Sequence, residues 1–154
     1  MPNHVAGKRS FILENPPVIS AWASVAGKKE SEGPLSAYFD IKNNDSYFGQ
    51  KTWEQGEKKM QQLALQTLSQ KSSIPLKDFR LVLSGDLLNQ CIGSSFSLRN
   101  TSLGHIGLYG ACSTMAESLS LAAMMIDGQF AKYTLAATSS HFCSSEKQFR
   151  MPLE

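Results

Sequence analysis

The chain reads as an α/β protein with a largely parallel sheet, and three observations carry that reading. Short apolar runs alternate with segments of helical periodicity, in the order strand, helix, strand, helix, strand, helix, strand. Hydrophobic residues make up 42% of the sequence and charged residues 18%, the balance of a globular chain rather than a disordered one. At 154 residues the chain is long enough for one domain with a real core.

Residues 1–16 are polar and mixed, and Pro16-Pro17 stiffens the entry to Val18–Val25, whose small and β-branched residues predict a buried strand. Residues 27–50 hold Gly33-Pro34, Asn43-Asn44-Asp45 and Gly49, so they read as a long surface excursion, either functional or a decorative insertion. Thr52-Trp53-Glu54-Gln55 matches a capping box, in which the Thr52 hydroxyl accepts from the Gln55 N–H. A helix then runs to about Gln70, with Trp53, Met60, Leu63, Ala64, Thr67 and Leu68 on its apolar face and Lys58, Lys59 and Gln62 on the other. Ser72-Ser73 and Pro75 make a turn into a strand, Phe79–Ser84, which Gly85-Asp86 ends. A weaker helical pattern, diluted by Gly93 and serines, covers Leu87 to about Arg99. Next come a strand, Ile106–Ala111, a helix, Ser113–Ile126, with Gly128 as its C-terminal cap, and a last strand, Tyr133–Thr138.

Fifteen basic and thirteen acidic residues leave a net charge of +2, too balanced to imply a nucleic-acid partner. The tight pair Lys28-Lys29 is offset by Glu30 and Glu32 and reads as a solvated loop. Cys91, Cys112 and Cys143 are an odd set at unrelated spacings, which indicates neither a zinc site nor a disulfide framework, and no cofactor is implied. Phe11-Ile12-Leu13 is too short an apolar core for a signal peptide, and no run of about 18 apolar residues exists to span a membrane.

Parallel strands present ligands to the loops at their carboxyl ends. Three such loops are polar: Gly85–Gln90, Ala111–Ser113 and Ser139–His141. Cys112 sits where a strand turns into a helix, so that unpaired N–H groups at the helix start could stabilise a thiolate; the residue is a candidate nucleophile or the floor of an anion pocket. Asp86, Asn89 and Gln90 could orient a polar ligand, or Asp86 could simply cap the following helix. Ser139 and His141 could donate to a carboxylate, or form a plain turn. The helix after Cys112 is apolar nearly all round, with Leu119, Leu121 and Ala122–Ile126, and such a helix is buried on all sides. It calls for a second body against it.

Gly110-Ala111-Cys112-Ser113-Thr114 at the head of that helix resembles the nucleophile turn of the thiolase and β-ketoacyl synthase superfamily. Taken with Gly85–Gln90, Ile126–Lys132, Ala136–His141, Gln148-Phe149-Arg150, Gly33-Pro34-Leu35, Phe39-Asp40 and Lys51–Glu54, the chain resembles the stage V sporulation protein AD family over roughly residues 8–154. The resemblance implies a thiolase-like fold of two βαβαβ halves with two central helices face to face. Residues 1–154 would be the N-terminal half, a fragment of a protein about twice this length, and the absent half, or another copy, would cover the apolar helix. It further implies a sporulation protein that binds dipicolinic acid and supports its uptake into the developing spore, acting with other stage V sporulation A operon proteins at the periphery of the forespore or spore inner membrane. Cys112, Asp86, Asn89, Gln90, Ser139 and His141 are then the candidate ligand-binding residues. The alternatives are a thiolase-type acyltransferase working through Cys112, whose partner residues would come from the second half, or an inactive truncated fragment.

Overall fold

The structure, a computed structural model, describes residues 5–150; segments 1–4 and 151–154 lie outside the described residues. Its centre is a three-stranded sheet. The middle strand β5 (Leu81–Gly85) pairs in parallel with β6 (Gly104–Gly107) on one side and β7 (Thr134–Thr138) on the other, with Val82 opposite His105 and Leu135. Four shorter strands precede it: β1 (Val5–Ala6) and β2 (Ser10–Phe11) form an antiparallel ribbon, and β3 (Val25–Ala26) pairs in parallel with β4 (Ile41–Lys42). The helices are α1 (Lys28–Ser31), α2 (Trp53–Ser72), α3 (Ile92–Leu98), α4 (Thr114–Asp127) and α5 (Phe142–Arg150). The α/β class and the parallel sheet are therefore as the sequence pattern predicts.

Side chains alternate across a sheet, so neighbouring residues of one strand face opposite layers. Val82 and Leu135 pack with Leu65 of α2, Leu98 of α3 and Phe79, and these five buried residues form the main core. On the opposite face Thr134 donates to the Ala122 carbonyl of α4 at 3.4 Å. The sheet thus lies between α2 and α3 on one side and α4 on the other.

Local signals explain the ends of α2. The Thr52 hydroxyl accepts from the Gln55 N–H at 3.3 Å, the Gln55 side chain accepts from the Lys51 N–H, and Ser73 leaves the helix in the left-handed conformation. Several expectations need correction. Val18–Val25 is not a buried strand: residues 18–24 join no ladder, only Val25 enters β3, and Val18 is 85% exposed and Trp22 70%. Strand composition marks residues that suit a pleated, half-buried surface, and no neighbouring strand supplies one here. The buried face of α2 is Gly56, Glu57, Gln61 and Leu65, not the apolar set chosen from periodicity. The expected helix from Leu87 opens only with a tight 3-10 turn, Asn89–Cys91, ahead of α3, because Asp86 draws the backbone in and Gln90 and Cys91 turn through positive φ. Strand β6 closes at Gly107, short of Ala111. Gly128 caps α4 as expected, though with an ordinary φ, and the left-handed residue is Gln129.

Within this chain α4 buries only its Thr114, Ser118 and Ala122 stripe against the sheet. Met115, Leu119, Leu121 and Met124 are exposed, so the chain by itself does not enclose the helix on all sides. Among the described residues no helix is long and apolar enough to cross a membrane.

Candidate functional site at the carboxyl end of the sheet

The loops that leave β5, β6 and β7 are drawn together by backbone bonds. The Leu108 N–H donates to the Ser84 carbonyl at 2.9 Å, and the Ser139 N–H donates to the Gly85 carbonyl at 3.2 Å. Only a glycine fits at position 85, because a Cβ there would drive into the Leu108 carbonyl and lie 2.7 Å from the Thr114 methyl. The Cys91 thiol adds a bond to the Leu108 carbonyl at 3.1 Å. Burial pushes that thiol above its ordinary pKa, and its role is that of a packed donor.

Asp86 lies at the centre of this rim and is fully buried. Its carboxylate accepts from the Leu88 N–H at 2.9 Å and from both the N–H and the hydroxyl of Ser94 at 2.7 Å. Ser94 is in the first turn of α3, so Asp86 satisfies an orphan donor of that helix from outside it, the work of a cap done at a distance. Asn89 and Gln90 follow with exposed side chains, and the Asn89 N–H donates to the Gln148 side chain of α5 at 3.1 Å.

Ser139 and His141 are anchored from below by residues the periodicity argument assigned to no site. Glu57 of α2 is fully buried; its two carboxyl oxygens lie 2.7 Å from the Ser139 hydroxyl and 2.7 Å from the Ser144 hydroxyl. Gln61, one turn on, donates to Ser139 at 2.7 Å and to Ser94 at 3.0 Å, and accepts from Ser97 at 2.9 Å. Burial raises the Glu57 pKa against the pull of these hydroxyls, and the negative charge of Asp86 raises it further. The His141 ring bridges Ser46 and Ser144: Nε2 lies 2.7 Å from the Ser46 carbonyl and Nδ1 lies 3.2 Å from the Ser144 N–H. Those partners set the tautomer with the proton on Nε2, since a carbonyl only accepts and an N–H only donates. Asp86, Ser139 and His141 thus belong to one buried network through Ser94, Gln61, Glu57 and Ser144.

Cys112 stands outside that network. It is exposed, in a single tight turn (Ala111–Ser113) that leads into α4, and the residue before it, Ala111, has a φ of 48°. Such a conformation costs a non-glycine residue free energy and persists only where the surroundings impose it. Thr114 and Ser113 impose it here: the Thr114 hydroxyl accepts from the Gly110 N–H at 3.2 Å, and the Ser113 hydroxyl donates to the Gly110 carbonyl at 2.9 Å. The Ser113 hydroxyl also meets the Glu117 carboxylate at 2.5 Å, which places an anionic side chain over the start of α4. The positive end of the helix is therefore already partly answered within the chain. Beside the turn is a hollow lined by Leu87, Tyr109, Gly110, Ala111, Ser145 and Phe149, which brings residues of the β5 and β6 loops and α5 together. Among the described residues, no three His, Cys, Asp or Glu side chains are grouped as metal ligands would be.

Two comparisons with known proteins bear on this arrangement. The family model for stage V sporulation protein AD matches residues 7–154. The stage V sporulation protein AD of Bacillus subtilis (strain 168) is 37% identical over 150 residues, which cover 97% of this chain and 44% of that relative. The chain thus spans less than half the length of the curated relative it matches.

Proposed function

The chain belongs to the stage V sporulation protein AD family, and from that premise we propose that it serves in sporulation by binding dipicolinic acid and supporting its uptake into the developing spore. The observation that carries this reading is the hollow beside Cys112. Tyr109 and Phe149 give it aromatic walls suited to a flat pyridine ring, and the Cys112 turn lies on its edge. The exposed Asn89 and Gln90 flank the same rim, Asn89 through its bond to Gln148, the neighbour of Phe149. Their amides are donors for two carboxylates. In this reading Cys112, Asn89 and Gln90 meet the ligand, while Asp86, Ser139 and His141, whose polar atoms already have partners, hold the rim in shape. The protein would work at the periphery of the spore inner membrane through other stage V sporulation A operon proteins, and a second thiolase-like half or another copy would lie over α4.

Calorimetric titration of dipicolinate tests the binding claim, on this chain and on the Bacillus subtilis relative, with benzene-1,3-dicarboxylate as the control lacking the ring nitrogen. Binding that Cys112→Ala or Asn89→Ala weakens supports it. Heat of dilution alone at millimolar ligand, from both proteins, removes it.

A second reading is favoured by the exposure of Cys112 next to a strained residue. In a thiolase-type acyl transfer the Cys112 sulfur attacks an acyl thioester, a new thioester forms on Sγ, and the coenzyme thiol leaves with the proton. Intact-mass measurement after incubation with acyl-CoA decides it: an acyl adduct absent from Cys112→Ala supports transfer, and an unmodified mass eliminates it.

A further inference from the structure

We propose that Glu57 is held as a neutral carboxylic acid at neutral pH, and that its proton latches α5 and the Ser139–His141 loop onto α2, so that this joint loosens as pH rises. The argument is a count of protons. The Ser144 hydroxyl has one hydrogen but faces two acceptors, Glu57 Oε2 at 2.7 Å and the His141 carbonyl at 2.9 Å. If Glu57 were ionised, that one hydrogen would have to be shared between the two acceptors, weakening both contacts. A proton on Oε2 resolves this. Glu57 donates to Ser144, Ser144 donates to the His141 carbonyl, and Ser139, which accepts from Gln61, donates to Oε1. Every contact then holds one hydrogen.

Asp86 shows the opposite pattern. Three donors converge on it, from Leu88 and twice from Ser94, as befits a carboxylate. The two carboxyl groups lie on either side of Gly93, where an added Cβ would come within 3.3 Å of both the Asp86 carboxyl and Glu57 Cγ. The negative charge of Asp86 adds to burial in disfavouring a charge on Glu57, which favours the proton there. The titratable groups facing Glu57 are Asp86 from the β5 loop and His141 ahead of α5. One turn away on α2 and α5, Glu54 pairs with Lys147 at 2.6 Å.

The sign follows from linkage. A folded-state pKa raised above the unfolded value means that the folded chain binds the extra proton. Its stabilisation is complete below about 4.5, the unfolded value, and is lost as pH climbs through the folded value. The test is a carbon-13 NMR titration of the side-chain carboxyls of the full chain labelled at glutamate, with the Glu57 signal assigned by its absence in Glu57→Gln. The expected result is a Glu57 carboxyl still protonated at pH 7, and a Glu57→Gln variant, which can donate to Ser144 as the acid does, whose stability no longer falls as pH rises. A Glu57 carboxyl ionised at pH 7 overturns the proposal. So does a Glu57→Gln variant that keeps the wild-type pH slope. Should Glu57→Gln not fold, Glu57→Asp serves for the assignment and the titration alone decides.

Discussion

Replacing Gly85 with alanine should cost more than any other single methyl group added to this protein. The new Cβ would drive into the Leu108 carbonyl oxygen and sit 2.7 Å from the Thr114 methyl. The first of these is backbone, so no rotamer change relieves it, and the oxygen must retreat by more than about 1 Å to reach ordinary van der Waals separation. That retreat pulls on the 2.9 Å bond from Leu108 to Ser84 and the 3.2 Å bond from Ser139 to Gly85, the two links that gather the loops. Overpacking of this kind costs about 1–3 kcal/mol. Losing two backbone bonds adds about 1 kcal/mol each. A total of about 3–5 kcal/mol is a large share of the roughly 5–15 kcal/mol that stabilises a domain. The urea midpoint should fall by more than about 1 M, and the Leu108 and Ser139 amides should lose hydrogen-exchange protection ahead of the β5 core. Gly27→Ala is the control, since a Cβ there meets nothing within 4 Å. A Gly85→Ala protein within about 1 kcal/mol of wild type, with both amides still protected, would refute the account of how the loops converge.

Three other outcomes follow from the same geometry. Asp86→Ala leaves the N–H groups of Leu88 and Ser94 and the Ser94 hydroxyl without their acceptor, so it should lose about 3 kcal/mol in urea denaturation; a neutral effect would mean that the carboxylate is not a structural anchor. Burial lowers the His105 pKa below 6.5, so the folded state favours the neutral ring; stability should therefore fall as pH drops from about 6.5 through the folded value, opposite in sign to Glu57, and His105→Gln should flatten that limb in a pH series of midpoints. The exposed apolar face of α4 should drive association, so sedimentation velocity should show oligomers that a Leu119→Glu, Met124→Glu double variant reduces, and a wild-type chain monomeric at high concentration would count against it.

The central βαβ pattern is legible because strands layered between helices leave a plain mark. Leu81–Gly85 and Thr134–Thr138 are apolar or small throughout and flanked by turn residues, and each strand was placed to within two residues. The segment from Val18 carries the same mark without the structure. Its burial depends on a partner surface, which composition cannot supply. The α4 helix shows the same limit from the other side. Its all-round apolar sequence registers a demand for cover, and this chain meets that demand only along Thr114, Ser118 and Ala122.

The candidate site was half legible for a different reason. Its loops could be found because they follow strand ends, a matter of order along the chain. Its foundations could not, because α2 turns Glu57 and Gln61 inward at the same i, i+4 spacing as Leu65, and polar residues at that spacing are read as a solvent face. What reverses the reading is the set of hydroxyls facing them: Ser94 and Ser97 on α3, Ser139 after β7 and Ser144 on α5. A buried carboxyl is tolerable only where such partners exist. Each serine alone looks like an ordinary polar residue of a weak helix or a turn, and they become a single constraint only when the fold brings four segments to one point. The serines that dilute the helical pattern after Leu87 are therefore the residues that α3 uses to grip α2, and the polarity that hides the network is what fixes the register of the helices beneath the rim.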